Sequence, residues 1–350
     1  MRAKHIHVEA DTKILAEIRK RVDEELVVNK RSFRFLLFLK LICYSGTSIL
    51  FFYGLFVISN SVLSILCYTM MGISLLLLAF NFAHDLSHNT VFKSKKLNNL
   101  GFIMIYTLVG AHAEAWRDRH VKSHHFAPNV KEYDSDLQIT NLIRVAPDMN
   151  YKWFHRFQHI YAPFAYSSYS LYWIFIKDFV LLFRKWRKDR LSLKYTLSFI
   201  IQKIFYFSIM LIIPVLFTGQ KIGIILLGFL FMHLVQSVFL LFTFFMTHHV
   251  EGTIYPETDD LGVIQTSWLK NQVLSSNDMH PFSKSANFLL GGFNNHIAHH
   301  LFPHIHHIQY PKLNTILYRV LINNGIIPNQ TTYFGGIISH LRLLKTLSMQ

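Results

Sequence analysis

Residues 62–88 read VLSILCYTMMGISLLLLAFNFAHDLSH, and the join inside this stretch decides the fold. Val62–Phe82 carries no charged side chain. As a helix rising about 1.5 Å per residue it reaches across a bilayer core of about 30 Å. Two residues later comes His84-Asp-Leu-Ser-His88, a pair of imidazoles four positions apart. On a helix that spacing puts both rings on one face, a turn apart, where they can share a ligand. A membrane span runs straight into a pair of nitrogen donors.

Three further stretches have the length and composition of spans: Phe35–Ile58, Leu197–Phe217 and Ile222–Met246. Charged residues make up only 16% of the chain, against about a quarter in soluble domains, while hydrophobic residues make up 51%. Lys40, Gln202 and Lys203 fall near span ends, where long side chains can snorkel to the interface. The connections Ser59–Ser61 and Thr218–Lys221 are short, so the expected fold is all-α and polytopic, four transmembrane helices in two hairpins. Both connections are poor in Lys and Arg. The basic residues Arg2, Lys4, Lys13, Arg19, Lys20, Arg21, Lys30, Arg31 and Arg34 precede the first span, and Arg184, Lys185, Arg187, Lys188, Arg190 and Lys194 lie between the hairpins. The positive-inside rule then puts both termini and the central segment in the cytoplasm. The same rule accounts for the net charge of +15, and with no basic stripe interleaved with aromatics no nucleic-acid partner is expected.

Residues 1–34 read as a cytosolic amphipathic segment with no secretory signal, and residues 35–350 as one membrane domain. Leu100–Gly110 is apolar but too short to cross, which predicts a re-entrant or interfacial helix. Thr253–Pro281, polar and broken by Gly and Pro, reads as a loop with short elements. Cys43 and Cys67 both lie in apolar runs, so neither a disulfide framework nor a thiolate metal site is expected.

Two more histidine clusters follow the first: His120-Val-Lys-Ser-His124-His125 and His296-Ile-Ala-His299-His300. On the expected topology all three fall on the cytosolic side, which solvation alone does not require. Together they offer eight imidazoles, enough for two metal ions, although imidazole suits iron, copper, zinc and nickel alike. His248 or His249, leaving the fourth span, can complete the shell. His5 and His7 read as part of a polar tail, and His155 and His159 as an amphipathic surface pair. His233 and Gln236 sit inside the fourth span, where polar residues face a bundle interior, so they are candidates to line or close an apolar channel.

These clusters resemble the three histidine boxes of the membrane fatty-acid desaturases. The similarity runs from about Asn81 to Leu313 and takes in Trp116, His120–Asn129, Asp134-Ser-Asp136, Phe245-Met-Thr-His248 and Gly291-Gly-Phe-Asn-Asn-His296-Ile-Ala-His-His-Leu-Phe-Pro303. The Gly-Gly before the third box and Leu-Phe-Pro after it are most similar to the front-end, linoleoyl-CoA-type branch, although His296 stands where those members usually carry Gln. The resemblance implies a cytosolic helical cap and two irons held by His84, His88, His120, His124, His125, His248, His296, His299 and His300. It prefers His248 to His249, makes Asp85, Asn129, Asp134 and Asp136 outer partners of the ligands, and adds Trp116 to the channel candidates. With no fused haem-binding cytochrome motif present, it also implies a separate electron donor, ferredoxin-like or cytochrome.

The implied activity is oxidation by dioxygen and two electrons, with the metal centre itself as the catalyst and a fatty acyl chain, linked to CoA, lipid or carrier protein, left with a cis double bond. A lipid hydroxylase or ketolase would use the same ligands. A His-rich metal transporter, the alternative from another class, would place its ligands near the bilayer midplane rather than beyond the span ends. A bacterial inner membrane and the endoplasmic reticulum both suit the charge pattern.

Overall fold

A computed structural model describes residues 4–27, 30–137, 141–188 and 191–349. Arg2 and Arg190 lie outside the described residues. The chain is mostly helical. In chain order its main elements begin with β1 Lys4–His5, α1 Glu9–Glu25, α2 Lys30–Val57, α3 Ser61–Ser87, α4 Lys95–Leu108 and α5 Ala113–Arg119, followed by the π turn His120–His124. Next come α6 Asp178–Arg187, α7 Leu193–Phe217, α8 Ile222–His248, β2 Val263–Ile264, α9 Trp268–Leu274 and β3 Asn277–Met279. The chain closes with α10 Lys284–Leu290, α11 His296–Leu301, α12 Tyr310–Asn323, β4 Asn329–Thr331 and α13 Tyr333–Leu347.

Four of these helices, α2, α3, α7 and α8, are long and apolar enough to cross a membrane. They overrun the apolar stretches because a helix ends where its backbone finds other partners, not where hydrophobicity stops. The Asn60 side chain accepts from the first N–H groups of α3, and Ser192 does the same for α7. At its far end α3 runs on through His84, with a π turn at Ala79–Ala83 just before it. The apolar stretch at 100–110 forms most of α4, a 14-residue helix that is too short to span.

The chain divides into two compact units. The span unit, residues 34–117 and 163–241, packs Leu55 of α2, Tyr68, Met71 and Leu75 of α3, Tyr206 and Met210 of α7, and Ile225, Phe229 and Met232 of α8 into one core. Helices α3 and α8 approach closely at Gly72 and Gly228. A Cβ at Gly72 would stand 2.4 Å from Met232, and one at Gly228 2.4 Å from Tyr68. Small residues at such crossings are what hold helices together where lipid removes the hydrophobic drive between them.

Lys203 and Gln202 depart from the snorkelling expectation, since both turn inward. Lys203 Nζ lies 2.7 Å from Asp178 Oδ2 and donates to the Gly110 carbonyl at 2.8 Å, while Gln202 accepts from Ala113 N at 3.0 Å and donates to Glu114. The open carbonyl of the Gly110 turn and a buried carboxylate offer better partners than interfacial water. Lys40 is likewise fully buried.

The histidine-rich unit comprises residues 1–33, 118–162 and 242–350. Its core joins Ile18 and Val22 of α1, Leu269 and Val273 of α9, Ile297, Ala298 and Leu301 of α11, and the inner face of α12. The N-terminal tail is not loose: β1 pairs in parallel with β2, and His5 Nε2 lies 3.0 Å from Asn271 Oδ1. His155 is also structural rather than superficial, buried and bonded to the Asn141 carbonyl at 2.9 Å.

Candidate metal centre

Seven of the nine histidines in the implied ligand set belong to the histidine-rich unit: His120, His124, His125, His248, His296, His299 and His300. Two local geometries sort them. Residues 120–124 form a π turn, so the N–H of His125 bonds to the carbonyl of His120, five residues back, at 3.1 Å. That wider turn brings His120 and His125 together, Nε2 to Nε2 at 3.1 Å, while the His124 ring stacks on His120 at 5.6 Å and reaches the other cluster. On α11 the i,i+4 pair His296 and His300 shares a face, with ring centroids 4.8 Å apart. His299, one position off, faces His120 at 5.8 Å and His125 at 4.5 Å.

His124, His248, His296 and His300 converge, with one ring nitrogen from each within 4.8 Å of the others and all four side chains buried. The outward nitrogens of three of them are committed. His124 Nδ1 donates to Asp134 Oδ2 at 2.9 Å, His248 Nδ1 to the Ser275 carbonyl at 2.8 Å, and His300 Nδ1 to Gln272 Oε1 at 2.8 Å. These acceptors have no hydrogen to give, so each Nδ1 carries a proton, and in the neutral ring each Nε2 is a bare lone pair. Yet His248 Nε2 stands 3.0 Å from His124 Nε2 and 3.2 Å from His300 Nε2. Lone pairs facing one another at that range repel unless a proton or a metal ion lies between them. Nitrogens about 2.1 Å from a shared ion stand about 3.0 Å apart at right angles and about 3.4 Å apart at tetrahedral angles, a range that holds both distances here. Both ring nitrogens of buried His296 also lack a hydrogen-bond partner, a costly arrangement for a polar group unless it binds something.

Electrostatics agree. Burial, reinforced by neighbouring imidazoles, holds His296 and His300 well below the usual histidine range, so both rings are neutral donors. For His124 burial pulls the same way, but the carboxylates of Asp134 and Asp136 outweigh it and raise the ring above its ordinary value. A more basic imidazole is a stronger metal donor. The residues fit a divalent metal bound through nitrogen.

The surrounding polar residues explain how this geometry is held. Asp134 accepts from the Asn129 and Asp136 backbone N–H groups as well as from His124. Asn129, in a left-handed conformation at φ 61°, donates from its side chain to the carbonyls of His248, Ile254 and Ser275, tying the end of α8 to the loop that follows. Asp136 pairs with Arg119. His249 turns its ring to the Tyr255 hydroxyl at 3.0 Å, while His248 faces the cluster.

Gln272, the Ser275 carbonyl, Tyr310 (3.3 Å from His299 Nδ1) and Asp278 escape a reading of the sequence alone. Asp278 accepts from Ile297 N at 2.9 Å and so caps the short helix that carries the third cluster. A residue type alone carries no sign of such partners; Ser267, whose hydroxyl accepts from Lys270 N, is an N-cap residue that marks the start of the helix carrying Gln272.

In the span unit, α3 carries His84, buried, with the His84 and His88 rings 5.3 Å apart. Asp85 accepts from the Thr90 hydroxyl at 3.3 Å. Trp116 packs 6.2 Å from His84. His233 is buried with both ring nitrogens engaged, Nδ1 by Ser170 Oγ at 2.8 Å and Nε2 by the Tyr206 hydroxyl at 2.7 Å, and Gln236 is buried near Gly72.

Comparison with known proteins bears on what such a cluster is for. The family model "Fatty acid desaturase" matches residues 59–331. The chain is 28% identical over 287 residues to the sn-1 linoleoyl-lipid 6-desaturase of Arthrospira platensis, covering 80% of this chain and 76% of that one. It is 30% identical over 308 residues to the acyl-lipid (8-3)-desaturase of Physcomitrium patens, covering 85% of this chain and 63% of that one. It is 26% identical over 304 residues to the probable Delta(5) fatty acid desaturase C of Dictyostelium discoideum, covering 83% and 65%. The chain thus spans less than two thirds of the last two relatives. Histidine boxes, four span-length helices and a match over most of the chain converge: the protein belongs to the fatty acid desaturase family.

Proposed function

We propose that this protein is an oxidoreductase that introduces a cis double bond into a lipid-linked acyl chain, using dioxygen and two electrons at a histidine-ligated di-iron centre. The observation that carries the reading is the buried convergence of one ring nitrogen from each of His124, His248, His296 and His300, with His248 Nε2 at 3.0 Å from His124 Nε2 and 3.2 Å from His300 Nε2. His120, His125 and His299 are assigned to the second iron. His84 and His88 join the set on the strength of their box motif. A lipid-linked substrate is inferred from the relatives' names, which are those of acyl-lipid enzymes.

The bound irons would supply an oxidant strong enough to take hydrogen from an unactivated methylene pair. The chain's own residues orient and shield. Asp134, Gln272 and the Ser275 carbonyl fix which nitrogen of each ring faces inward, and burial keeps water from the centre. The spans fold as two hairpins with the histidine-rich segments and both termini on the cytosolic side, α4 lies re-entrant or interfacial, and the apolar helices provide the acyl channel, with Trp116, His233 and Gln236 lining or closing it. Electrons arrive from a separate one-electron protein, ferredoxin-like or cytochrome.

The test is the fatty-acid profile of a desaturase-deficient host expressing the chain, beside a His299→Ala, His300→Ala variant. A new unsaturated acid that vanishes in the variant supports the reading. An oxygenated lipid instead moves the reaction to hydroxylation, and no new product from an iron-free protein overturns it. In the same host, His233→Leu and Gln236→Leu should alter chain-length or positional preference; unchanged products would remove them from the channel.

A further inference from the structure

Trp116 and Tyr106 make an aromatic path that leads away from the first histidine box. The Trp116 ring, half-buried on α5, lies 6.2 Å from the His84 ring at 71°. Tyr106 of α4 lies 4.7 Å beyond Trp116 and is 8% exposed. Phe102 flanks both, 5.8 Å from Trp116 and 4.7 Å from Tyr106, beneath the Arg117 guanidinium at 4.1 Å. Rings with centroids within about 7 Å are in contact, so each step along the path is short. Indole and phenol are among the side chains most readily oxidised by one electron, the phenol with loss of its O–H proton, whereas phenylalanine is not. A packing role alone would be met by any large apolar rings. The order here is specific: ligand candidate, half-buried indole, buried phenol.

We propose that Trp116 and Tyr106 form a relay that drains oxidising equivalents from the His84 end of the metal site when dioxygen is activated with no acyl chain in place. The inference rests on the desaturase reading. Trp116 gives one electron to the oxidised site and becomes an indole radical cation. Tyr106 then gives one electron to Trp116 and its phenolic proton to water, leaving neutral tryptophan and a neutral tyrosyl radical. The one-electron donor protein returns an electron to Tyr106, and water returns the proton. Two such passages, added to the two electrons already delivered and to four protons taken from solvent, complete the reduction of dioxygen to two waters. Without the relay, oxidation would fall on the ligating imidazoles.

The experiment exposes purified, iron-loaded, reduced protein to dioxygen without acyl substrate, freeze-quenches it, and reads radicals by electron paramagnetic resonance and oxidised residues by peptide mass spectrometry. Wild type should give a tyrosyl signal. Tyr106→Phe, which keeps the ring and should keep the initial rate of product formation, should show a longer-lived indole radical instead. Trp116→Phe should show neither, and oxygen addition to His84 and His88 should rise several-fold over wild type at equal iron content. Wild-type protein that consumes dioxygen and makes product, yet forms no protein radical and matches both variants in ligand oxidation, overturns the relay alone. Protein that binds iron but neither consumes dioxygen nor forms product overturns the desaturase reading and the relay with it.

Discussion

Asp134 shows how much of the site rests on one side chain. It receives the Nδ1–H of His124 at 2.9 Å, and its other contacts are backbone N–H groups of the same loop. Asp134→Asn keeps the shape but removes the charge that makes His124 basic and fixes its tautomer. Metal affinity should fall about 10–100-fold, measured by chelator competition; unchanged affinity would mean that the carboxylate does not tune the ligand. His340 on α13 is a residue-scale case away from the cluster, fully buried and donating to the His249 carbonyl at 2.6 Å. Burial pushes its ring down to about 4, from an ordinary 6.5. Above pH 6.5 the ring is neutral both folded and unfolded. As pH falls from 6.5 toward 4, the unfolded chain takes up a proton that the folded chain refuses, so stability is lost across that window, by about 3 kcal/mol. Thermal unfolding of His340→Asn in detergent should show a correspondingly shallower acid dependence than wild type. Parallel curves would contradict this.

The elements carry a second layer of constraint. The Gly-Gly before the third box was visible as a motif, and the structure supplies its reason. Gly291 ends α10 at φ 61°, and Gly292 continues at φ 85° with its missing Cβ only 2.4 Å from His307 Cβ. A methyl there meets both a strained backbone and a side chain at its root, so Gly292→Ala should cost on the order of 3 kcal/mol and displace α11. Loss of bound iron at a lowered unfolding temperature would be the sign; wild-type values for both would rule it out. The same scale holds one difference from the sequence reading. Imidazoles four apart were expected on an α-helical face; residues 120–124 take a π turn instead, which keeps His124 beside His120 at 5.6 Å and also brings His125 onto His120. An α and a π turn differ by one step in hydrogen-bond register, a difference that the pattern HVKSHH does not encode.

For the whole molecule, the four span-length helices and the three clusters were legible because each is local: apolar length in one case, four- to six-residue spacing in the other. What was not legible depends on partners far apart in sequence. Lys203 meets Asp178, His5 meets Asn271, and His300 meets Gln272, pairs that no periodicity announces. The proposed topology makes its own prediction. A reporter that works only in the cytosol should be active when fused at either terminus and silent when inserted at Ser59–Ser61 or Thr218–Lys221; the reverse pattern would invert the orientation.

The central claim is that buried, inward-facing imidazoles bind the iron that does the chemistry, and metal analysis of the purified full chain tests it most directly. The account predicts two irons per chain in wild type, and loss of iron from a still-folded His296→Ala variant. A folded wild-type protein that retains no iron when supplied with it, or a His296→Ala variant that keeps the full complement, would contradict it.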